Sequence, residues 1–159
     1  MTIQPEMAES QQRTNVQGTA ANEAPAKPSG TVRFARGAFM LVAITFALCV
    51  VIQVFLAGLA VFVSPLNWVR HINFVHFFEF LPLLMLLFSF VGRLPKALRG
   101  QSAALFVGIF VQYFTANIGS KLPWAAALHP VVAMGIFWLA ITVMRNGGNV
   151  IFRARQDSH

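Results

Sequence analysis

Apolar residues in this chain come in long blocks, and polar ones gather at the block ends. Ala38 to Val63 runs 26 residues without a charge, Ser102 to Gly119 runs 18 and Leu122 to Met144 runs 23. A helix needs about 20 such residues to cross a bilayer core. A fourth block, Trp68 to Gly92, holds Arg70, His71, His76 and Glu79 at one end, but Phe80 to Gly92 has no ionisable side chain. The pattern predicts four spans, about 38–63, 68–92, 102–119 and 123–144. Turns fall at Ser64-Pro65, around Pro95 and Gly100, and from Gly119 to Pro123. The expected fold is all-α: a polytopic, antiparallel bundle of four transmembrane helices over residues 33–145.

Residues 1–32 are rich in Gln, Ala, Asn, Pro, Ser and Thr. They read as a disordered tail, not a signal peptide, because no short apolar stretch follows a basic start. Residues 146–159 read as a short basic tail.

Composition agrees with the blocks. Hydrophobic residues make up 57% of the chain and charged ones only 11%, against about 25% charged in a soluble domain. The net charge of +7 would suggest nucleic acid in a soluble protein. Here the basic residues flank the spans, so the partner they imply is the lipid bilayer and not nucleic acid. Arg33 and Arg36 precede span one, Arg93, Lys96 and Arg99 fill the middle loop, and Arg145, Arg153 and Arg155 follow span four. The other two loops hold only Arg70 and Lys121. The positive-inside rule then places both termini in the cytoplasm. The lone Cys49 excludes a disulfide within the chain and reads as a small buried apolar residue.

That orientation puts almost every intramembrane polar residue in the outer half: Gln53, His71, Asn73, His76, Glu79, Gln112, Tyr113, Thr115, Asn117 and His129. His76 and Glu79 lie roughly 12 and 17 Å along the helix from Trp68. Glu79 is the only acidic residue between Glu23 and Asp157. A carboxylate in hydrocarbon costs on the order of 3 kcal/mol by insertion scales, so it must be protonated, paired or wetted. At about 100° per residue, Glu79 falls near 80° and His76 near 140° from His71. This arc is expected to face the bundle interior, with His76 or Gln53 as partners for Glu79. Phe74, Phe77, Phe78, Leu81 and Met85 are expected to face lipid.

A weak internal repeat runs through the chain. Gln53 and Gln112 are 59 residues apart, and His71 and His129 are 58 apart. Each half reads as an outgoing helix with Gln, a turn with Trp, and a returning helix with His. One histidine from helix two, His76 or His71, and His129 from helix four could ligate a b-type haem from opposite sides. Gln53, Gln112 and Glu79 complete the candidate cofactor site, and Ala57, Gly58, Gly108, Ala116 and Ala133 would leave room. No Cys-x-x-Cys-His occurs, so such a haem would be held without covalent attachment. Phosphate loops, HExxH and Ser/His/Asp sets are absent, and one carboxylate does not make a di-iron site. Nothing in the residues points to an enzyme.

Gln53 to Phe62, His71 to Pro95 with its Leu-Pro-Leu-Leu and Gly-Arg-Leu-Pro, the Val-Gln-Tyr-Phe of helix three and Leu128-His129-Pro130 resemble an uncharacterised family of small bacterial four-helix membrane proteins. The resemblance covers roughly residues 38–144 and implies a bacterial inner membrane. More distantly, the Gln…Gly…His hairpin is similar to one half of haem A synthase. That similarity implies that His129 matches the haem ligand of the second hairpin and His71 or His76 that of the first. Helix one departs from the pattern, carrying neither His nor Glu. Three functions follow as expectations. The first is a haem-b protein in electron transfer or haem handling. The second is an accessory subunit, alone or with a membrane partner or a second copy, whose polar cluster locks the helices. The third is a proton relay or carrier through Glu79.

Overall fold

A computed structural model describes residues 28–119 and 121–156. Residues 1–27, which carry most of the expected N-terminal tail, lie outside the described residues. The described chain is all helical: α1 Gly30–Phe62, α2 Asn67–Phe78, α3 Leu81–Val91, α4 Lys96–Asn117, a short α5 Pro123–Ala126, and α6 His129–Gln156. No strand occurs among the described residues.

The helix starts and stops follow local chemistry. α1 begins eight residues before the apolar block because the Ser29 hydroxyl accepts from the Val32 N–H at 3.4 Å. Val32 and Ala35 of that extension are buried, so the helix starts inside the stretch expected to be tail. Asn67 turns the chain between α1 and α2, its side-chain amide donating to Leu59 O and Ser64 O. α3 stops with Arg93 in the left-handed region, φ 51°, and Leu94 N–H bonded to Ser89 O at 2.9 Å. Glycine is needed one residue earlier: a Cβ on Gly92 would lie 2.9 Å from Phe88 O and 3.4 Å from the Arg36 backbone nitrogen. Pro130 takes the second position of α6, where a missing N–H costs nothing. α6 then continues through the expected C-terminal tail to Gln156.

The second apolar block is not one straight helix. It breaks at Glu79–Phe80, between α2 and α3. Pro82 has no N–H for Phe78 O, and its ring crowds that carbonyl. Helical bonding stays intact on either side, Glu79 N–H to Val75 O and Leu84 N–H to Phe80 O.

Inward residues follow spacings of three and four. They are Phe39, Ala43, Phe46, Ala47 and Val50 on α1, and Phe78, Pro82, Met85 and Ser89 across α2 and α3. Leu98, Ser102, Leu105 and Ile109 continue them on α4, and Ile136, Ala140 and Val143 on α6. The buried hydroxyls of Ser89 and Ser102 donate to Leu86 O and Leu98 O in their own helices. Helix α1 packs against α2, α3 and α6, and α4 packs against α3 and α6. The wheel assignment for the second block is overturned here. Phe77 is 81% exposed as expected, but Phe78 and Met85 are 3% and 0% exposed and form the core. Phe78 and Met85 offer more apolar contact surface than His76, whose side chain is 56% exposed, so they take the interior face, while Glu79 stays largely enclosed.

Three helical stretches are long and apolar enough to cross a membrane: Gly30–Phe62, Asn67–Val91 and Pro123–Phe152. Their outward surfaces carry Leu41, Phe55, Phe77, Val131 and Trp138, all well exposed, as suits lipid and not water. α4 is not among the three. Its 22 residues include Lys96, Arg99, Gln101 and Gln112.

Candidate functional site

Four helices meet around a cavity of about 290 Å³ lined chiefly by Gln53 of α1, His71 and Val75 of α2, Gln112 and Tyr113 of α4, and His129 of α6. A smaller space of about 60 Å³ adjoins it, walled by Phe78, Ile109, Ala133 and Ile136. The two halves of the chain build the site in the same way. Gln53 donates from Nε2 to the His71 carbonyl at 2.9 Å. His71 Nδ1 returns the bond to the Gln53 backbone carbonyl at 3.0 Å. In the second half, His129 Nδ1 lies 3.2 Å from the Gln112 backbone carbonyl. Gln112 completes the pattern with its amide nitrogen toward His129, donating to the His129 carbonyl at 3.0 Å and accepting from Ala133 N–H at 3.3 Å. The repeat seen at an offset of 58 to 59 residues is therefore a repeat of hydrogen bonding.

A backbone carbonyl only accepts, so the bond to Gln53 O calls for a protonated Nδ1 on His71. Around His129 Nδ1 the Gln112 carbonyl at 3.2 Å calls for the same tautomer, while the turned Gln112 amide nitrogen at 3.3 Å suits the opposite one. With Nδ1 donating to the carbonyl, Nε2 keeps its lone pair. A metal-bound histidine is held in this way, its other nitrogen donating to a carbonyl. Thr115 Oγ1 flanks His129 Nδ1 at 3.2 Å, and the Trp68 ring stands edge-on to His71 at 5.5 Å. The centroids of the two imidazoles are 6.4 Å apart, with planes at 63°.

His76 and Glu79 lie elsewhere. They sit below the cavity at the helix break, away from His129. The Tyr113 hydroxyl donates to Glu79 Oε2, and His76 Nδ1 lies 3.4 Å from Glu79 Oε1 and 3.2 Å from the Tyr113 oxygen. The His76 side chain is 56% exposed and that of Glu79 only 17%. Gln53 makes no bond to Glu79; its Oε1 is buried without a partner. Tyr113, at once a wall of the cavity and the partner of Glu79, is the residue that sequence reasoning left without a role. Its 34-residue separation from Glu79 gives no local signal.

The small residues divide as well. Ala116 lines the larger space and Ala133 the smaller. Gly108 provides no room for a ligand: a Cβ there would lie 3.0 Å from Ile136 Cγ1, so it serves the close approach of α4 to α6. Among the described residues no three His, Cys, Asp or Glu side chains gather as a metal-ligand set. The arrangement offers two imidazoles, not a three- or four-ligand cage.

Fold and site thus describe an all-helical, membrane-compatible protein with a paired-histidine cavity. Residues 53–118 match the family of unknown function DUF6220. The matched stretch takes in Gln53, His71, Glu79, Gln112 and Tyr113 and ends before His129. No curated protein and no solved structure matches the chain.

Proposed function

We propose that this is a four-span membrane protein that holds one b-type haem between His71 and His129. The observation that carries the reading is the pair of Gln-locked imidazoles, each with Nδ1 at a backbone carbonyl, facing one cavity from α2 and α6. Their separation supports it. With a metal–imidazole bond of about 2.0 Å, a centroid separation of 6.4 Å would admit one metal ion held by both rings. A haem bound there would supply one-electron transfer. The chain's part is to hold both rings in one tautomer, wall the group with Val75, Ile109 and Ile72, and keep charge away from the cavity.

The basic residues support the topology. Arg36 Nε donates to Gly92 O at 3.0 Å, and Asn146 reaches Gln101 at 3.4 Å. These contacts gather the start of α1, the end of α3, the start of α4 and the stretch after Arg145 at one end of the molecule. We take that end as cytoplasmic, with both termini on the inner side of a bacterial inner membrane and α4 as the fourth span of an antiparallel bundle.

The test is the absorption spectrum of protein purified in detergent from haem-replete cells. A Soret band is expected, lost in His71→Ala and in His129→Ala and kept in His76→Ala. A colourless preparation that also fails to take up added haemin overturns the reading. One observation favours a second reading, an accessory subunit without cofactor: Tyr113, Glu79 and His76 tie α2 to α4. In that case both histidine variants would unfold more easily and no preparation would be coloured.

A further inference from the structure

How a ligand reaches the cavity is written in the break at Glu79–Phe80. Below it α3 packs on α4; above it α2 makes no comparable packing with α4. The two helices diverge toward the end that carries the histidines. The gap between them is edged by Ile72, which is 56% exposed, and by exposed Ala116, both of which line the cavity. α1 and α6 stand behind, with Gln53 and His129 on their faces. At the far end α5 packs on α4 and buries Ala125, while Trp68 stands against His71. At the foot of the gap the Tyr113–Glu79 hydrogen bond joins the two helices.

We propose that the cavity fills sideways, from the acyl-chain region of the outer leaflet through the gap between α2 and α4, so that its ligand is a flat, lipid-soluble molecule. Ile72 and Ala116 give the gap an apolar edge, along which a planar hydrophobic ligand would exchange lipid contacts for protein contacts; the polar part of the rim is the exposed Asn117 beside Ala116. The Tyr113–Glu79 bond sets the lower limit of the opening, and Pro82 keeps α2 from closing against α4. The identity of the ligand as haem and the choice of the outer leaflet rest on the preceding reading; the opening between α2 and α4 does not.

Two measurements in vesicles test this, both in a Cys49→Ser background. A bimane fluorophore placed on Ile72→Cys or Ala116→Cys should be quenched by brominated acyl chains and spared by aqueous iodide. The reverse pattern overturns the route, whether or not haem binds. Next, Ile72→Cys and Ala116→Cys together should take up haemin from vesicles until a reducible bis-thiosulfonate linker spans the gap. Uptake should then be lost and should return on reduction. Undiminished uptake by the linked protein overturns the route and leaves the haem reading standing. Failure of the unlinked protein to take up haemin overturns the haem reading, and the quenching pattern alone then decides the route.

Discussion

Replacing Gln112 by Ala removes a side chain that makes two hydrogen bonds in the paired-histidine site, to the His129 carbonyl at 3.0 Å and from Ala133 N–H at 3.3 Å. The ring keeps its bond to the Gln112 backbone carbonyl, so the tautomer survives and only the clamp on the start of α6 is lost. Polar bonds between membrane helices average about 0.6 kcal/mol each in double-mutant cycles, with a maximum near 1.7. Two such bonds are therefore worth roughly 1 to 3 kcal/mol. The clamp fixes the turn that carries His129, and changes in the outer contacts of a metal-bound histidine cost about 10- to 100-fold in affinity, or roughly 1.4 to 2.7 kcal/mol. Haemin titrated into detergent-solubilised protein and followed in the Soret region should thus bind 10- to 100-fold more weakly to Gln112→Ala. Gln53→Ala loses one bond, to the His71 carbonyl at 2.9 Å, and should fall at the weaker end of that range. Thr142→Ala, whose hydroxyl bonds only Trp138 O in its own helix, is the control and should bind as the parent does. Wild-type affinity in both glutamine variants would refute the claim that these side chains orient the imidazoles.

Other consequences are open to measurement. Gly108→Ala should lose about 1–3 kcal/mol of stability in a denaturant titration, because its Cβ would meet Ile136 at 3.0 Å; Ile136→Val in the same chain should recover part of that, and an unchanged midpoint for Gly108→Ala would contradict the packing. Tyr113→Phe should cost about 1–2 kcal/mol through its lost bond to Glu79 while leaving any Soret band in place; loss of the band would show that Tyr113 acts on the cofactor itself. Pro82→Ala restores the N–H that Phe78 O lacks, so spin labels at Val69 and Asn117 should move closer together as α2 and α3 straighten. No change in that distance would mean that the break has another cause. Reporter tags on either terminus should be active only in the cytoplasm, and activity outside would reverse the assignment of the cavity to the outer leaflet.

Among membrane folds this one economises on polar groups. Among the described residues the polar members of the buried apolar stripe are Ser89 and Ser102, each satisfied within its own helix. The interhelical polar bonds concentrate around the cavity and its foot. In hydrocarbon an unpaired polar group costs far more than it does in water, so the mutual pairing of these groups is what lets the fold keep them there. Gln53 Oε1 is the exception beside the cavity, buried without a hydrogen-bond partner.

Hydropathy was enough to place the apolar blocks and the turns at Pro65 and Pro95, and spacing to set Gln53 beside Gln112 and His71 beside His129 as matching positions of a repeat, because these depend on local composition and on distance along one chain. The inward face of the second block was not legible in that way. A wheel drawn through His71, His76 and Glu79 assumes one straight helix, and it ranks polar groups ahead of Phe78 and Met85 for the interior; packing decided for the aromatics. Nor could spacing choose between His71 and His76 as the neighbour of His129. That choice belongs to the tertiary structure, which alone sets how α2 and α6 rotate about their axes. The same holds for Tyr113 and Glu79, brought together across 34 residues, and for the opening between α2 and α4. A sequence records which side chains the lipid will tolerate, but only the assembled helices determine which of them meet.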